Sequence, residues 1–404
     1  MAKKKILVLY GGRSTEHSIS AVSVGAVLRA IDTDRYDPIP VGITTTGEWV
    51  VLDDDPRTWT LADLPVVTAN EKSRPVIIDF SKHGDGFYLG APGTAPADYW
   101  PENRQPGDAR PLSLEWLGHI DLIFPVLHGI GGEDGSIQGF CETIGVPYVG
   151  CGILCSAIGI DKSFTKMVLK DAGIPVVPGI TVDTRTFDDG THFATDMDGV
   201  EKKLHEAGID YPVFVKPANG GSSVGTHKAE NREALAAALW DTSQYDWKIL
   251  IEKNVVAREL QCSMIRLNPN EPARAAWPTE IVMDRHAGSD DFYDFTAKFV
   301  DSSASHIDAP AKMPEDILRR VQEMGVRTFD AVRGSGLMRV DCFVMKEGQV
   351  IVNEINTLPG ETPRSFWPKA WEASGLPYAS AINGLISSAL KYPRTDNRGR
   401  GISA

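Results

Sequence analysis

No stretch of this chain is apolar for long enough to cross a bilayer, so the sequence offers no membrane-spanning helix. The run Ile6 to Tyr10 after the basic start MAKKK is too short for the core of a secretion signal, and no small-residue cleavage site follows it. It reads as a buried first strand. Cysteine is scarce and odd in number, five residues at 141, 151, 155, 262 and 342, which excludes the disulfide framework of a secreted domain. Cys151 and Cys155 resemble half a metal site, but no second Cys or His pair is suitably spaced, and buried thiols are expected instead. Positive charge is in deficit. A net charge of -13 would repel a polyanion, so wholesale nucleic acid binding is excluded while a local basic pocket for phosphates is not. Internal repeats and low-complexity tails are also missing. The expected setting is the cytoplasm, with neither a membrane nor a nucleic acid as partner.

At 404 residues the chain has room for two or three domains, each able to bury its own core. Strand and helix patterns alternate at the start: KKILVLYGG, a helix from about His17 to Ile31, then PIPVGIT. Residues 47 to 115 are less regular, with strands expected at EWVVL, PVIIDF and GFYLG. Five prolines between Pro92 and Pro111 forbid a helix and point to a long exposed loop within an insertion. After the buried strand DLIFPVLHG and a helix from Ser136 to Ile144, the first domain ends near Gly150. The helix DKSFTKMVLKDAG, the strand VVPGITV, the amphipathic helix GVEKKLHEAG, the strand YPVFVKP, the helix NREALAAALWD and the strand KILIEK make up a second unit. A third holds ARELQCSMI, PTEIVM, a loop from about Asp284 to Ser303 and the helix PEDILRRVQEMGVRTFDAV. Last comes LMRVDCFVMKEGQVIVNEIN, a hairpin turning at Glu347 and Gly348.

Two stretches carry chemistry. The first, KPANGGSSVG at 216 to 225, has the composition of a phosphate-holding loop, yet Lys216 precedes the glycines where a P-loop needs its lysine after them. Its glycines also miss the dinucleotide spacing. A nicotinamide reading of GGRS after the first strand fails too, for want of a third glycine and of an acid after a second strand. The second stretch is the hairpin. Alternate residues of a strand share a face, so Glu354 and Asn356 can meet Asp341 across the ladder, and three hard oxygen ligands would converge as a magnesium site completed by nucleotide phosphates.

The glycine loop, ILIEK, the hairpin acids and NEINTLPG, in this order, resemble the ATP-grasp superfamily. GGRSTEHSIS at 11 to 20, HGIGGEDGSIQG at 128 to 139 and SAIGIDKSFTK at 156 to 166 narrow the resemblance to the D-alanine:D-alanine ligase family. It covers nearly the whole chain except residues 47 to 115. It implies a three-domain α/β and α+β fold with ATP held between two domains. Residues 1–150 would form an N-terminal α/β substrate domain, with the insertion at about 47–115. Residues 151–252 would be a central domain carrying the glycine-rich lid, and 253–404 a C-terminal domain with the metal site and a mobile ω loop. The implied reaction phosphorylates the carboxylate of one D-alanine with ATP and lets the amine of a second attack, making a dipeptide for the peptidoglycan stem. The implied cofactors are ATP and two Mg2+ or Mn2+ ions, and the implied assembly is a homodimer.

On the same resemblance Lys162 and Lys216 hold phosphates under amides of the Gly220 to Ser223 loop, Gly221, Ser222 and Ser223 among them. Glu252 and Lys253 line the adenine, and Glu259 takes the ribose hydroxyls. Arg339 and the Gly360 amide neutralise the oxyanion of the tetrahedral intermediate. An ion pair between Arg339 and Glu354 is also open to that guanidinium and does not exclude this role. Glu16 binds the ammonium of the first D-alanine, His128 lies near its carboxylate, and Ser365 receives the carboxylate of the second substrate. The text ETPRSFWP departs from the commoner apolar pattern at Glu361 and Phe366. Lys298, in the ω loop, would reach the γ phosphate when the site closes. Phe299 stands where most peptide-forming members have a tyrosine whose phenol bonds a serine, here Ser222, which in turn bonds Glu16. Its loss would leave the Ser222 hydroxyl unsatisfied. Relatives with phenylalanine here accept D-lactate and make an ester, which keeps a depsipeptide ligase open. A nucleotide-binding relative without catalysis would have a broken metal set or lack the loop lysine, and here both are intact.

Overall fold

The first strand, β1 (Lys4–Gly11), is buried from Ile6 onward because it lies inside a sheet with a parallel neighbour on each side. The structure, a computed structural model, describes residues 2–99, 113–184, 196–283 and 305–394. β1 pairs with β2 (Tyr36–Ile43). The expected strands at EWVVL, PVIIDF and GFYLG appear as β3 (Trp49–Val51), β4 (Arg74–Ile78) and β5 (Phe87–Leu89). With β6 (Glu115–Trp116) and β7 (Leu122–Val126) they complete a seven-stranded sheet of order β6-β5-β4-β3-β2-β1-β7. The described parts of the irregular segment 47 to 115 therefore extend the first sheet with antiparallel strands. Within the proline-rich stretch one 3-10 turn forms at Pro96–Tyr99.

Helix α1 (His17–Ala30) is buried on almost every side, which its small residues Ser20, Ala21, Ser23, Gly25 and Ala26 permit. One side rests on the sheet. The other meets the helix Tyr378–Lys391, whose Asn383 donates to the Ala30 carbonyl at 2.8 Å and accepts from the Asp32 amide at 2.9 Å. Trp367 and Trp371, on the helix Phe366–Ala373, are buried in one core with Ile6, Val8, Val24, Leu337 and Leu358. The end of the chain thus closes the core under its beginning.

Beyond α2 (Ser136–Thr143), the helices α3 (Ile153–Ile160) and α4 (Lys162–Asp171) lead to β8 (Gly179–Asp183). Asp161 caps α4 by accepting the amides of Ser163 and Phe164. The second sheet, of order β10-β9-β11-β8, contains β9 (Val213–Pro217), β10 (His227–Ala229) and β11 (Lys248–Lys253). Helices α5 (Met197–Glu206) and α6 (Arg232–Ser243) cover it, packing Leu204, Leu235 and Leu239 on Val213, Val215 and Ile251.

The third sheet runs β15 (Ser305–Asp308), β14 (Thr279–Met283), β12 (Ala257–Arg266), β16 (Gly336–Met345), β17 (Val350–Asn356), with the short β13 (Arg274–Ala275) on β12. β16 and β17 are the expected hairpin, turning through Gly348 at a φ of 80°. The amphipathic helix Glu315–Ala331 buries Ile317, Val321, Met324 and Phe329 against it. No helix among the described residues is long and apolar enough to cross a membrane, and all five cysteines are buried free thiols, as expected.

Candidate active site

A cavity of about 1080 Å³ is walled by all three sheets. Seven lysines and arginines and seven carboxylates line it among the described residues, so cations balance acids here although the chain as a whole carries a net charge of -13.

One wall is the glycine loop. Ser222 and Ser223 hold φ of 53° and 59°, a left-handed backbone that non-glycine residues adopt mostly where function requires it. The base of the loop is fixed: the backbone and side-chain nitrogens of Asn219 donate to Asp246 at 2.8 and 2.9 Å, and the Lys162 amide donates to the Ala218 carbonyl at 2.9 Å. Lys162, first residue of α4, donates its ammonium to the Gly220 carbonyl at 2.5 Å and stands 3.3 Å from Glu354. Lys216, last but one of β9, pairs with Glu252, which pairs also with Lys166 at 2.5 Å. Burial raises the pKa of Glu252, but the two ammonium groups outweigh it and hold the carboxyl below its usual range. Burial pulls Lys166 down, while for Lys216 the attraction of Glu252 and Glu354 exceeds the effect of burial. The result is a dry cluster of two ammonium groups around one carboxylate, with a charge left over for a phosphate. The Glu252 carboxylate therefore faces Lys166 and Lys216, and Lys253, Glu259 and the backbone after β11 line the cavity beside it.

The hairpin forms the opposite wall. Asp341 sits directly across from Glu354 and Arg339 across from Asn356, with a bulge between Asp341 and Cys342. Arg339 gives Asp341 two parallel hydrogen bonds, each 2.7 Å, because residues two apart on a strand share a face. Burial opposes the Arg339 charge, and Asp341 more than offsets it, raising the group's pKa. The Asn356 side chain lies 3.2 Å from Asp341. No set of three His, Cys, Asp or Glu among the described residues is placed to hold an ion. Two carboxylates and one amide oxygen are nevertheless all hard donors, the oxygens of Asp341 keep lone pairs beyond those bonded to Arg339, and rotating the Asn356 amide presents its oxygen. This donor set fits Mg2+ or Mn2+ completed by phosphate oxygens.

The third wall comes from loops of the first sheet. Glu16, at the start of α1, accepts a hydrogen bond from the Ser222 hydroxyl, tying the first sheet to the glycine loop. A Cβ on Gly221 would stand 2.9 Å from a Glu16 carboxylate oxygen, so a larger residue there would push that side chain aside. His128 is buried with both ring nitrogens engaged, Nδ1 with the Leu358 carbonyl at 2.9 Å and Nε2 with the Ser23 hydroxyl at 3.0 Å. A carbonyl can only accept, so Nδ1 carries the proton; burial lowers the ring's pKa and keeps it neutral. Gly360, whose amide makes no hydrogen bond among the described residues, lies beside Ser365, which opens the helix Phe366–Ala373. The Ser365 hydroxyl meets Thr362 at 2.8 Å, and Arg364 and Lys369 line the same end.

Residues 5–151 match the family model described as the D-ala D-ala ligase N-terminus, and residues 168–387 the one described as the D-ala D-ala ligase C-terminus. The chain belongs to the D-ala D-ala ligase family. It is 48% identical to the D-alanine--D-alanine ligase of Bifidobacterium animalis over 96% of this chain and all of that one. Against the D-alanine--D-alanine ligase of an Arthrobacter species it is 40% identical, over 96% of this chain and 94% of that one. The structure of the D-alanine-D-alanine ligase from Coxiella burnetii superposes with a TM-score of 0.75 at 29% identity, covering 98% of this chain and 96% of that one. The VanG D-Ala:D-Ser ligase from Enterococcus faecalis gives 0.74 at 28%, covering 96% and 100%. The fold is the ATP-grasp fold.

Every candidate site residue named from the sequence within the described residues lines this cavity, Gly221 and Ser223 of the glycine loop included. Lys298 and Phe299 lie outside the described residues. The expected deficit at Ser222 takes a different form: its hydroxyl proton is donated to Glu16 whatever residue occupies 299. What a missing phenol leaves open is an acceptor lone pair on a half-exposed hydroxyl, which water can fill. Three residues were not foreseen: Lys166, Asn353, whose side chain lies 3.4 Å from Lys216, and Glu133. The Glu133 carboxylate accepts the amides of Gly129 at 3.2 Å and Leu358 at 2.9 Å, and burial, with Glu16 nearby, pushes its pKa up to about 7. The motif GGEDG contains it, and an acid among loop glycines was the available signal.

Proposed function

We propose that this cavity joins two D-alanine molecules at the expense of ATP, giving D-alanyl-D-alanine, ADP and phosphate for peptidoglycan. The observation that carries the reading is the convergence of phosphate-binding lysines, oxygen donors and amino-acid-binding groups on one cavity, locked together by the bond between Ser222 and Glu16.

Lys162 and Lys216 take the nucleotide phosphates, exchanging their present acidic partners for phosphate oxygens. Glu252 keeps both Lys216 and Lys166 charged and in place. Glu16 receives the ammonium of the first D-alanine, and His128, locked in one tautomer, shapes the wall near its carboxylate. Phosphorylation turns that carboxylate into an acyl phosphate, which gives the carbonyl a leaving group. Asp341, Glu354 and Asn356 would hold two Mg2+ or Mn2+ ions, which supply neutralisation of phosphate charge. Ser365, with the helix N-terminus behind it, anchors the carboxylate of the second D-alanine. Its uncharged amine attacks the acyl carbon, and the Arg339 guanidinium and the Gly360 amide stabilise the oxyanion before phosphate departs. Lys298, outside the described residues, is the lysine that the family pattern assigns to the γ phosphate. The enzyme works in the cytoplasm as a homodimer, and its domains divide near residues 150 and 252.

The test is ADP release and product analysis with ATP, Mg2+ and D-alanine, in parallel with D-alanine plus D-lactate. Dipeptide is the expected product, and turnover should be lost in Glu354→Ala. Ester as the main product would make the enzyme a depsipeptide ligase; brisk ATP turnover in Glu354→Ala would overturn the assignment of the hairpin.

A further inference from the structure

Between Gly360 and Thr362, in the loop from β17 to the helix Phe366–Ala373, stands Glu361. It is 3% exposed, and neither carboxylate oxygen makes a hydrogen bond among the described residues. Its neighbours are well bonded. The Thr362 amide and hydroxyl both reach the Ser365 hydroxyl, the Ser365 amide donates to the Thr362 carbonyl at 2.9 Å, and Leu358 is held by Glu133 and His128. The titratable group facing Glu361 is Tyr378, from the helix Tyr378–Lys391. Its phenol reaches the backbone carbonyl of Glu361 at 3.4 Å and also stands near the carboxyl, where it slightly favours the charged form, and Arg29 of α1 acts on the phenol from beyond. Among the described residues no cation pairs with the acid.

A carboxylate without a cation or donors is far costlier to bury than the neutral acid. We propose that Glu361 serves in its neutral form as a positioning residue, holding the Gly360 amide and Ser365 in place for the second amino acid, and that its ionisation releases this loop. The inference rests on the assignment of Gly360 and Ser365 made above. Burial, slightly countered by the nearby phenol, pushes the Glu361 carboxyl up to about 8, so the proton leaves within the range where such an enzyme can be assayed. Once charged, the side chain gains by turning to water, and the six residues Gly360 to Ser365 move with it. Glu16 and the glycine loop belong to other elements and stay.

The experiment compares the parent with Glu361→Gln and Glu361→Met, both permanently uncharged, by initial rates from pH 6.5 to 9.5 that separate the KM values of the two D-alanines. With a competent fraction falling from about nine-tenths at pH 7 to about one-tenth at pH 9, the parent's KM for the second D-alanine should rise about ninefold relative to either variant. The ratios for the first D-alanine and for ATP should stay flat. A constant ratio across pH overturns the inference, and so does a change shared equally by both substrates, which a merely structural role would give. Glu361→Met supplies the comparison should the glutamine variant fail to fold. If the parent makes no dipeptide at any pH, the assignment of the second subsite fails; normal dipeptide formation with superimposable profiles sinks the role of Glu361 alone.

Discussion

The Glu133 carboxylate accepts the backbone amide of Leu358 at 2.9 Å, joining two loops 225 residues apart in sequence, one after the first sheet and one after the hairpin. Its other oxygen holds the Gly129 amide, so a single acid fixes both ends of the subsite wall.

That acid makes stability depend on pH. Burial raises its folded pKa to about 7, above the ordinary glutamate value, so between about pH 4.5 and 7 the unfolded chain gives up a proton that the folded chain keeps. Stability should fall as pH rises through that window, by about 3 kcal/mol from this group. Glu133→Gln should remove this slope, yet lower stability at pH 5 by about 1 to 3 kcal/mol, since one amide loses its acceptor. Urea unfolding at several pH values checks both; an unchanged slope would place the titration elsewhere.

Glu252 separates two buried ammonium groups. Glu252→Ala should destabilise the protein by about 3 to 5 kcal/mol, because the lysines then repel each other without a counter-charge. KM for ATP should rise at least tenfold as Lys216 and Lys166 shift. Thermal unfolding and ATP titration read the two effects, and recovery of stability in high phosphate would identify the missing anion.

Ser222 combines a strained backbone with a bond to Glu16. Ser222→Ala and Ser222→Gly should both lower kcat/KM for the first D-alanine, by roughly a factor of ten, which corresponds to about 1.4 kcal/mol of lost positioning. The glycine variant should be the more stable of the two by roughly 0.5 to 1 kcal/mol, because it occupies a positive φ without strain.

Chelation with EDTA should stop turnover, and added Mg2+ or Mn2+ should restore it. In Asp341→Asn the requirement for Mg2+ should rise. The protein should also lose about 3 to 5 kcal/mol, since Arg339 stays buried without its carboxylate. A variant with unchanged metal dependence would remove Asp341 from the metal set.

Much of the site was legible because its logic is local. The period of a strand is two, so Glu354 and Asn356 share a face, but the register set by the turn at Gly348 would put Glu354 across from Val340; the bulge between Asp341 and Cys342 is what brings it across from Asp341. The same rule puts Arg339 beside Asp341, although the choice between Asp341 and Glu354 needed the actual geometry. Short buried segments were harder. Helices α3 and Phe366–Ala373 span eight residues each, too few turns for a 3.6-residue period to stand out, and they escaped notice together with Tyr378–Lys391; the two in the C-terminal region find their partners in α1 and β1.

By itself the sequence determined which chemical groups this protein owns and their order along three α/β units, because motifs, turns and strand alternation depend on neighbours a few residues away. The tertiary structure alone decided which charges meet: Glu252 between Lys166 and Lys216, Glu133 on the Leu358 amide, Ser222 on Glu16, and Glu361 with no cation beside it among the described residues. Burial and charge pairing between elements depend on distances in space, which no spacing in the chain encodes.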